Sequence, residues 1–345
     1  MGKREVKLDT NIYDYEAKLL FIDSFQNVSS QKAYKSMLVQ MGKYEKEIDK
    51  EFYNMTINEM KDCIDTLSHK TINSADSLLS KLGFYLFWAI SNNLADNNAP
   101  EVLGWLKTLK GEDIVSKTAM GNQYLTKKEL YTIGSAINNS QNEALIILLF
   151  HGVEGIEMSE LRNIKKSDID FAKNIIHLHG YSPVQYTNGV HEILSRDIEL
   201  SIYEMGIIKS ALMQLDYSET KLKEKDGQQI EKIYTYNLVD TEYLFKNRES
   251  LKGKTSVGNV SRNELNKRIR EISSIVKIPL TAGNILDSGK IYELTQLNKE
   301  IQDITDEDYT NILKKYNMQI NPSSIFGLRQ LYEYLVKNEI GVAIQ

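Results

Sequence analysis

The 345-residue chain has little cysteine and proline and no long hydrophobic run. Its single cysteine, Cys63, excludes an intramolecular disulfide and a multi-cysteine zinc site, and its apolar helical surroundings predict that it is buried. No window approaches the ~18 consecutive apolar residues of a membrane span, and the lysine-containing start lacks the apolar core of a secretory signal. We therefore expect a cytoplasmic globular protein that is not attached to a membrane.

The charge is unevenly distributed. A formal net charge of −5, taken alone, argues against a nucleic-acid partner. Between Lys246 and Lys277, however, nine Lys and Arg residues stand against three Glu, a local net of +6, so the remainder carries −5 − 6 = −11. The sequence thus predicts a basic surface in its second half.

The first part of the chain, residues 1–110, has helical spacing of apolar residues from about Asn11 onwards. Helices are predicted to begin near Ser29, at Thr56 and near Asn73 or Ser74, with Glu59 completing a capping box with Thr56. Residues 97–100 interrupt this pattern. Residues 111–124 show no sustained period and are predicted to be a linker to a second domain, residues 125–345.

The second domain starts with two predicted helices, one capped by Thr126 and one opening at Asn142. Residues 175–179 are strand-like, and residues 196–200 are placed to pair back with them as a hairpin. From Ser201 onwards the pattern is again predominantly helical. No internal repeat is present.

Residues 155–170 contain a specific motif, with Ser159-Glu160-Leu161 followed by Asp168-Ile169-Asp170. The segment resembles the first active-site box of tyrosine recombinases (phage integrases), which is approximately Gly-Leu-Arg-Ile-Ser-Glu-Leu-Leu-x-Leu-x-x-x-Asp-Ile-Asp. The resemblance implies a mainly α fold with a small antiparallel β-sheet. It also implies that residues 1–110 form a helical, SAM-like core-binding domain and residues 125–345 an α+β catalytic-like domain.

The same alignment puts Glu157 at the position of the family's first catalytic arginine. In the family, two arginines hold the non-bridging phosphate oxygens while a tyrosine attacks the phosphodiester, because guanidinium is permanently cationic and matches phosphate geometry. A carboxylate at this position would repel the phosphate oxygens instead of attracting them. The family's hairpin lysine is also missing, since residues 174–200 contain no lysine. Arg196 is the nearest base there, and its high pKa suits phosphate contact better than proton transfer.

The second box, His-x-Leu-Arg in the family, has two placements. Residues 281–289 put Gly283 and Leu286 at the histidine and arginine, whereas residues 326–330 keep Arg329 but lose the histidine. We favour the first placement, because the second leaves too little chain for the third box and the nucleophile. Lys315 then occupies the third box, and Tyr332 or Tyr334 lies near the nucleophile's position. Loss at several positions predicts a protein that is not an enzyme.

A basic amphipathic helix after Ser261 is the strongest candidate for reading base edges, because Arg and Asn pair bidentately with guanine and adenine. In the resembling family the helix at this point enters the major groove. A second basic surface is expected on the helical domain, so that two linked domains hold the duplex. The candidate DNA-binding residues are Lys32, Lys35, Asn73, Ser74, Ser77, Lys81, Arg196, Lys254, Ser261, Arg262, Asn263, Asn266, Lys267 and Arg270.

Other chemistry is poorly supported. Gly253-Lys254-Thr255 mimics the end of a phosphate-binding loop, but Arg248 occupies the place of its first glycine. His177, His179 and His191 lack a carboxylate at metal-binding spacing. We predict neither a metal nor a cofactor.

The leading hypothesis is a sequence-specific double-stranded DNA-binding protein on an inactive tyrosine-recombinase fold, most simply a phage or prophage repressor that controls lysogeny. The alternatives are a divergent active recombinase and an accessory factor for integration and excision. The apolar end of the chain, 335–345, suggests either a homodimer, through the docking of C-terminal segments that the resemblance implies, or a tail folded on its own core.

Overall fold

The computed structural model describes residues 8–67, 72–115, 123–185, 191–225, 228–249 and 257–340. Contacts divide the chain into two compact units, Met1–Met120 and Gly121–Gln345. In the described ranges, no helix combines the length and apolar character needed to cross a membrane.

The first unit is helical. Thr56 and Glu59 form the predicted capping box at the start of the third helix, whereas the second helix is capped by Asn27 rather than by a serine. The predicted interruption at residues 97–100 follows the end of one helix at Ser91, and the next helix, Ala99–Leu106, begins within it. Pro100 lies in the first turn of that helix, which proline tolerates because the N–H there has no helical partner. The helices are α1 (Tyr15–Asp23), α2 (Val28–Ile48), α3 (Ile57–Thr66), α4 (Ile72–Ser91), α5 (Ala99–Leu106) and the single turn α6 (Gly111–Ile114).

The core of this unit is rich in aromatic rings. Phe21, fully buried in α1, has its ring centroid 4.8 Å from that of Tyr85 and 5.1 Å from that of Trp88, both in α4. Cys63 is fully buried, as predicted. One buried ion pair, Lys18 with Glu45, joins α1 to α2.

The second unit begins with α7 (Lys127–Ala136), capped by Thr126 as predicted, and the apolar α8 (Ser140–Phe150), which begins just before the predicted Asn142. After α9 (Ser159–Asn163) come β1 (Ile169–Asp170), β2 (Ile175–Gln185) and β3 (His191–Glu199), which form an antiparallel sheet in the order β1-β2-β3. The predicted hairpin is confirmed, with Ile176 opposite Ile198 and Leu178 opposite Arg196. The remaining helices are α10 (Ile202–Met213), α11 (Arg262–Val276), α12 (Ala282–Thr295), α13 (Asp306–Lys315) and α14 (Pro322–Lys337).

A second hairpin, which the sequence did not predict, follows α10. Strands β4 (Asp216–Lys225) and β5 (Gln228–Asn237) form a separate two-stranded sheet, in register from Asp216 opposite Asn237 to Lys225 opposite Gln228. The helical expectation from Ser201 onwards was therefore wrong for this segment. Its many Lys, Glu and Gln residues favour helices, and tertiary anchoring overrides that preference.

The predicted fold class, mainly helical with small antiparallel sheets, is confirmed. Helix α8 lies at the centre of the second unit, since every residue from Ala144 to Phe150 is buried, and α10, α11 and α12 all contact it. This packing positions the loop after α8 and the start of α11, where the candidate site lies.

Candidate nucleic-acid interface

The motif segment forms a tight loop between α8 and α9. Gly152 and Gly155 have φ of +83° and +66°, which glycine adopts at little cost. Glu157 and Met158 follow with φ of +58° and +57°, a conformation that L side chains adopt only when their surroundings hold it. The Glu157 side chain is 56% exposed, and its Oε1 accepts a hydrogen bond of 2.8 Å from Nη1 of Arg262, the first residue of α11.

The motif's second acid, Glu160, is buried and holds Arg196. Arg196 donates from Nε and Nη2 to the two carboxylate oxygens of Glu160, each at 2.8 Å. Its Nη1 donates to the carbonyl of Lys315 at 2.7 Å, and Nη2 also donates to the carbonyl of Gly152 at 2.8 Å. The sequence predicted a phosphate contact for Arg196. In the structure its guanidinium instead joins α9, β3 and the end of α13, a role that no local sequence signal indicates because the partners are far apart in the chain.

In the favoured placement, the positions of the second box carry no cationic group. Gly283 is exposed in the first turn of α12, and Leu286 is buried. One turn further, Lys290 contacts Asp287 at 2.6 Å between Nζ and Oδ1. Burial raises the pKa of the nearby Glu154 carboxyl, and the positive charge of Lys290 opposes that rise. The sequence analysis did not identify Glu154 or Lys290, although the i, i+3 spacing of Lys290 and its partner Asp287 was visible in the sequence.

The two remaining candidate cations each pair with an acid, and the two candidate tyrosines are buried. Lys315 Nζ lies 2.7 Å from Glu293 Oε2. Arg329 pairs with Asp306 and lies over the Tyr309 ring, 5.4 Å from its centroid. Tyr332 and Tyr334 are 6% and 7% exposed in α14, and burial raises the pKa of the Tyr332 phenol.

Helix α11 begins at the predicted cap, where Ser261 Oγ accepts from the Glu264 N–H at 3.1 Å. Its outer face carries Arg262, Asn263 and Arg270, all exposed. Asn266 is half-buried. The predicted base-reading residues thus share one accessible side of the helix, while Leu265, Ile269 and Ile272 form its buried side.

Much of the predicted basic surface is neutralised internally. Arg268 is fully buried and donates to Gln141 Oε1 at 2.8 Å and to the carbonyl of Lys246 at 2.6 Å. The guanidinium of Arg248 lies 2.8 Å from Glu264 and 3.1 Å from Glu219. Both guanidiniums also lie over the ring of Tyr217, each 4.9 Å from its centroid. The local net charge of the sequence therefore overstates the charge available to a ligand.

Lys267 takes part in the same network, because its Nζ lies 3.0 Å from Glu219 and 3.4 Å from Glu271. Of the other predicted basic residues, Lys254 lies outside the described residues.

Two hydrogen bonds connect the motif to the loop that leads into α11. Arg162 Nε donates to the carbonyl of Val260 at 2.8 Å, and Asn259 Nδ2 donates to Asn163 Oδ1 at 2.8 Å. The end of α9 and the start of α11 are thereby held together.

In the first unit, the candidate residues occupy the early turns of two helices. Lys32 is exposed and Lys35 half-buried in α2, and Ser74, Ser77 and Lys81 lie on exposed or half-buried positions of α4. Asn73 belongs to the first turn of α4. Two histidines of the β2–β3 hairpin make local hydrogen bonds, His177 with Asp197 at 2.7 Å and His179 with Ser195 at 2.9 Å. In the described ranges, no three His, Cys, Asp or Glu residues are arranged to hold a metal ion.

Comparisons with known proteins follow the same two-part division. The family described as MrpR, C-terminal catalytic domain, matches residues 124–341, and the one described as MrpR, N-terminal core-binding domain, matches residues 12–91. The SPbeta prophage-derived uncharacterized protein YopR of Bacillus subtilis (strain 168) is 27% identical over 294 residues, which cover 85% of this chain and 84% of that protein.

Solved structures of recombinases are also similar in outline. An integrase of the Tn1549 transposon in complex with a circular intermediate DNA is 13% identical with a TM-score of 0.42, over 92% of this chain and 93% of that one. The XerA recombinase is 13% identical with a TM-score of 0.34, over 92% and 97% of the two chains. These scores are too low to carry an argument. The matched domains and the motif at residues 155–170 establish that the chain belongs to the MrpR family of tyrosine recombinases.

Proposed function

We propose that this protein binds double-stranded DNA at specific sequences without cutting it, and that it acts as a transcriptional repressor of a prophage. The observation that carries the proposal is the pairing of Glu157, at the position of the catalytic arginine, with Arg262 on the exposed face of α11. The similarity to a protein described as prophage-derived supports the origin.

Base reading is supported by the outer face of α11. Arg262, Asn266 and Arg270 are spaced at i, i+4 and i+8, so they follow one side of the helix along about two turns. A helix of this kind fits the major groove, where arginine and asparagine distinguish guanine and adenine by paired hydrogen bonds. The hydrogen bonds from Arg162 and Asn259 hold the start of this helix in place.

The absence of cleavage is proposed from the chemistry of four positions. Glu157 opposes the charge that develops on a phosphodiester in the transition state. Leu286 has no donor, and the guanidinium of Arg196 is already occupied by Glu160 and two carbonyls. A phenol such as that of Tyr332, buried and with a raised pKa, is a poor nucleophile.

The experiment uses the full-length protein and a duplex that it selects from a random-sequence pool. We expect this duplex to be bound at least about 10³-fold more tightly than random DNA at physiological salt. A nicked version of the same duplex should yield no protein–DNA adduct that survives SDS, and a promoter carrying the selected site should be repressed in cells.

Three results would each contradict a part of this proposal. Equal affinity for the selected and the random duplex would contradict sequence-specific binding. An SDS-resistant adduct on the nicked duplex, lost in Tyr332→Phe or Tyr334→Phe, establishes an active recombinase instead. Specific binding without repression at a promoter, together with a requirement for the protein in integrase-driven excision, identifies an accessory factor.

A further inference from the structure

The carboxylate of Glu157 contacts only one edge of the Arg262 guanidinium. Glu157 Oε1 accepts from Nη1 at 2.8 Å. Within the described part of the chain, Nε and Nη2 of Arg262 donate no hydrogen bond. These two groups carry the parallel N–H pair that matches the O6 and N7 acceptors of guanine in the major groove.

Neighbouring groups hold the backbone from which the Glu157 side chain leaves. Two consecutive left-handed residues, Glu157 and Met158, fix the direction in which it leaves the backbone. Arg162 donates from Nη1 to the Glu157 carbonyl at 3.5 Å and from Nε to the Val260 carbonyl at 2.8 Å, so one side chain contacts both the acid's loop and the approach to α11. The acid is therefore positioned relative to the helix that it contacts.

The side chains of the pair are 52% and 56% exposed, so this ion pair contributes little to folding stability. The ion pair instead affects the orientation of the Arg262 side chain. A free arginine samples many rotamers and must be ordered when it binds, and that ordering costs free energy. A guanidinium held at Nη1 samples fewer orientations than a free one, and its Nε and Nη2 groups remain available to a ligand.

We propose, on the basis of the function proposed above, that Glu157 is a positioning residue for base recognition. It holds the Arg262 guanidinium at Nη1 so that Nε and Nη2 read a guanine, and its negative charge weakens contacts with phosphate that are independent of sequence. The position that serves catalysis in active relatives of the fold thereby determines sequence selectivity in this protein.

The test compares Glu157→Gln with wild type on the selected duplex, on the same duplex with each guanine of the α11 half-site replaced, and on random DNA. Glutamine keeps the size and an acceptor but removes the charge. We expect affinity for random DNA to rise. The ratio of specific to random affinity should fall roughly tenfold, with the loss concentrated at one guanine position.

Two controls separate this role from a general charge effect. Glu242→Gln removes an equally exposed carboxylate that pairs with Lys165 elsewhere in the same unit, and it should leave the ratio unchanged. In an Arg262→Ala background, Glu157→Gln should have no further effect on the ratio, since the group that it positions is gone. Unchanged thermal unfolding midpoints confirm that the variants fold.

The outcomes are distinct. If Glu157→Gln raises specific and random affinity by the same factor, the acid merely repels DNA and the proposal is wrong. Any other result in which the ratio of specific to random affinity stays unchanged overturns it as well. So does a fall in this ratio that Glu157→Gln also causes in the Arg262→Ala background. A wild-type protein with no sequence preference contradicts the proposed function itself, and this inference fails with it.

Discussion

Gly289 in α12 is required by close packing rather than by backbone conformation. A Cβ at this position would lie 1.8 Å from the Phe150 carbonyl oxygen and 2.4 Å from the Tyr316 hydroxyl. That hydroxyl donates to the same carbonyl at 2.8 Å. The glycine therefore permits α12 to approach the end of α8 closely, just before the loop that carries Glu157.

We expect Gly289→Ala to lower the free energy of unfolding by ~3 kcal/mol, because the added methyl meets backbone that cannot move aside without displacing α12. Gly283→Ala in the same helix is the matched control, since the nearest atom to its added Cβ is Thr281 Oγ1 at 3.8 Å. That variant should be as stable as wild type or slightly more stable. Denaturant unfolding followed by far-UV circular dichroism measures both, and an equal loss in the two variants would contradict the packing argument.

Single residues also show which features a sequence can predict. Glu157 was identified by its alignment with the family's arginine, which the Ser-Glu-Leu and Asp-Ile-Asp anchors that follow it fix, and Cys63 by the apolar helix around it. The partners of Arg196 were not predictable, because they lie 36, 44 and 119 residues away in the chain. The close contact of Gly289 with Phe150 was not predictable either, because the two residues lie in helices far apart in the sequence. Long-range contacts leave no periodic signal.

Helix α11 has two basic faces with different roles. Arg268 points inwards, is fully buried, and is satisfied by Gln141, Glu264 and the carbonyl of Lys246. Arg270, two residues later, is exposed. The sequence showed a run of basic residues, but only their position around the helix separates those that stabilise the fold from those available to DNA.

We expect Arg268→Met to lower the free energy of unfolding by ~3–5 kcal/mol, because removing one partner of a buried charged network leaves carboxylates and carbonyls without their donor. Arg270→Ala should change stability by no more than ~0.5 kcal/mol. It should instead weaken specific DNA binding by ~1–3 kcal/mol if it contacts a base edge. Unfolding and binding measured on both variants test this division, and a binding defect without a stability defect in Arg268→Met would refute it.

Elements with strong local signals were predicted well. The side chains of Thr56, Thr126 and Ser261 each cap the helix that the sequence assigned to them. The β4–β5 hairpin was missed because its residues individually favour helices. It is anchored instead by Tyr217, which is buried beneath two arginines, and by Glu219, which bonds to Arg248. Among the side chains that the structure describes in this hairpin, Tyr217 and Glu219 are the buried ones, so no extended pattern of alternating apolar residues marks the strands.

For the molecule as a whole, a net charge of −5 is compatible with the proposed DNA binding because the charges are unevenly distributed. Acids in the second unit neutralise Arg248, Arg268 and Lys267, which leaves Arg262 and Arg270 as the exposed arginines of α11. We therefore expect few contacts with phosphate from α11. Much of the affinity that is independent of sequence is expected from the first unit, where Lys32 and Lys35 lie near the start of α2.

This distribution predicts that the two units contribute different kinds of binding energy. Lys35→Ala should weaken binding to the selected and random duplexes by the same factor and reduce the slope of log affinity against log salt by about 1, because one phosphate contact is lost. Arg262→Ala should weaken mainly the selected duplex. Lys46→Ala, near the other end of α2, removes the same charge and should leave both affinities unchanged. Titrations at several salt concentrations measure these quantities, and a selective loss on the specific duplex in Lys35→Ala would place base recognition in the first unit instead.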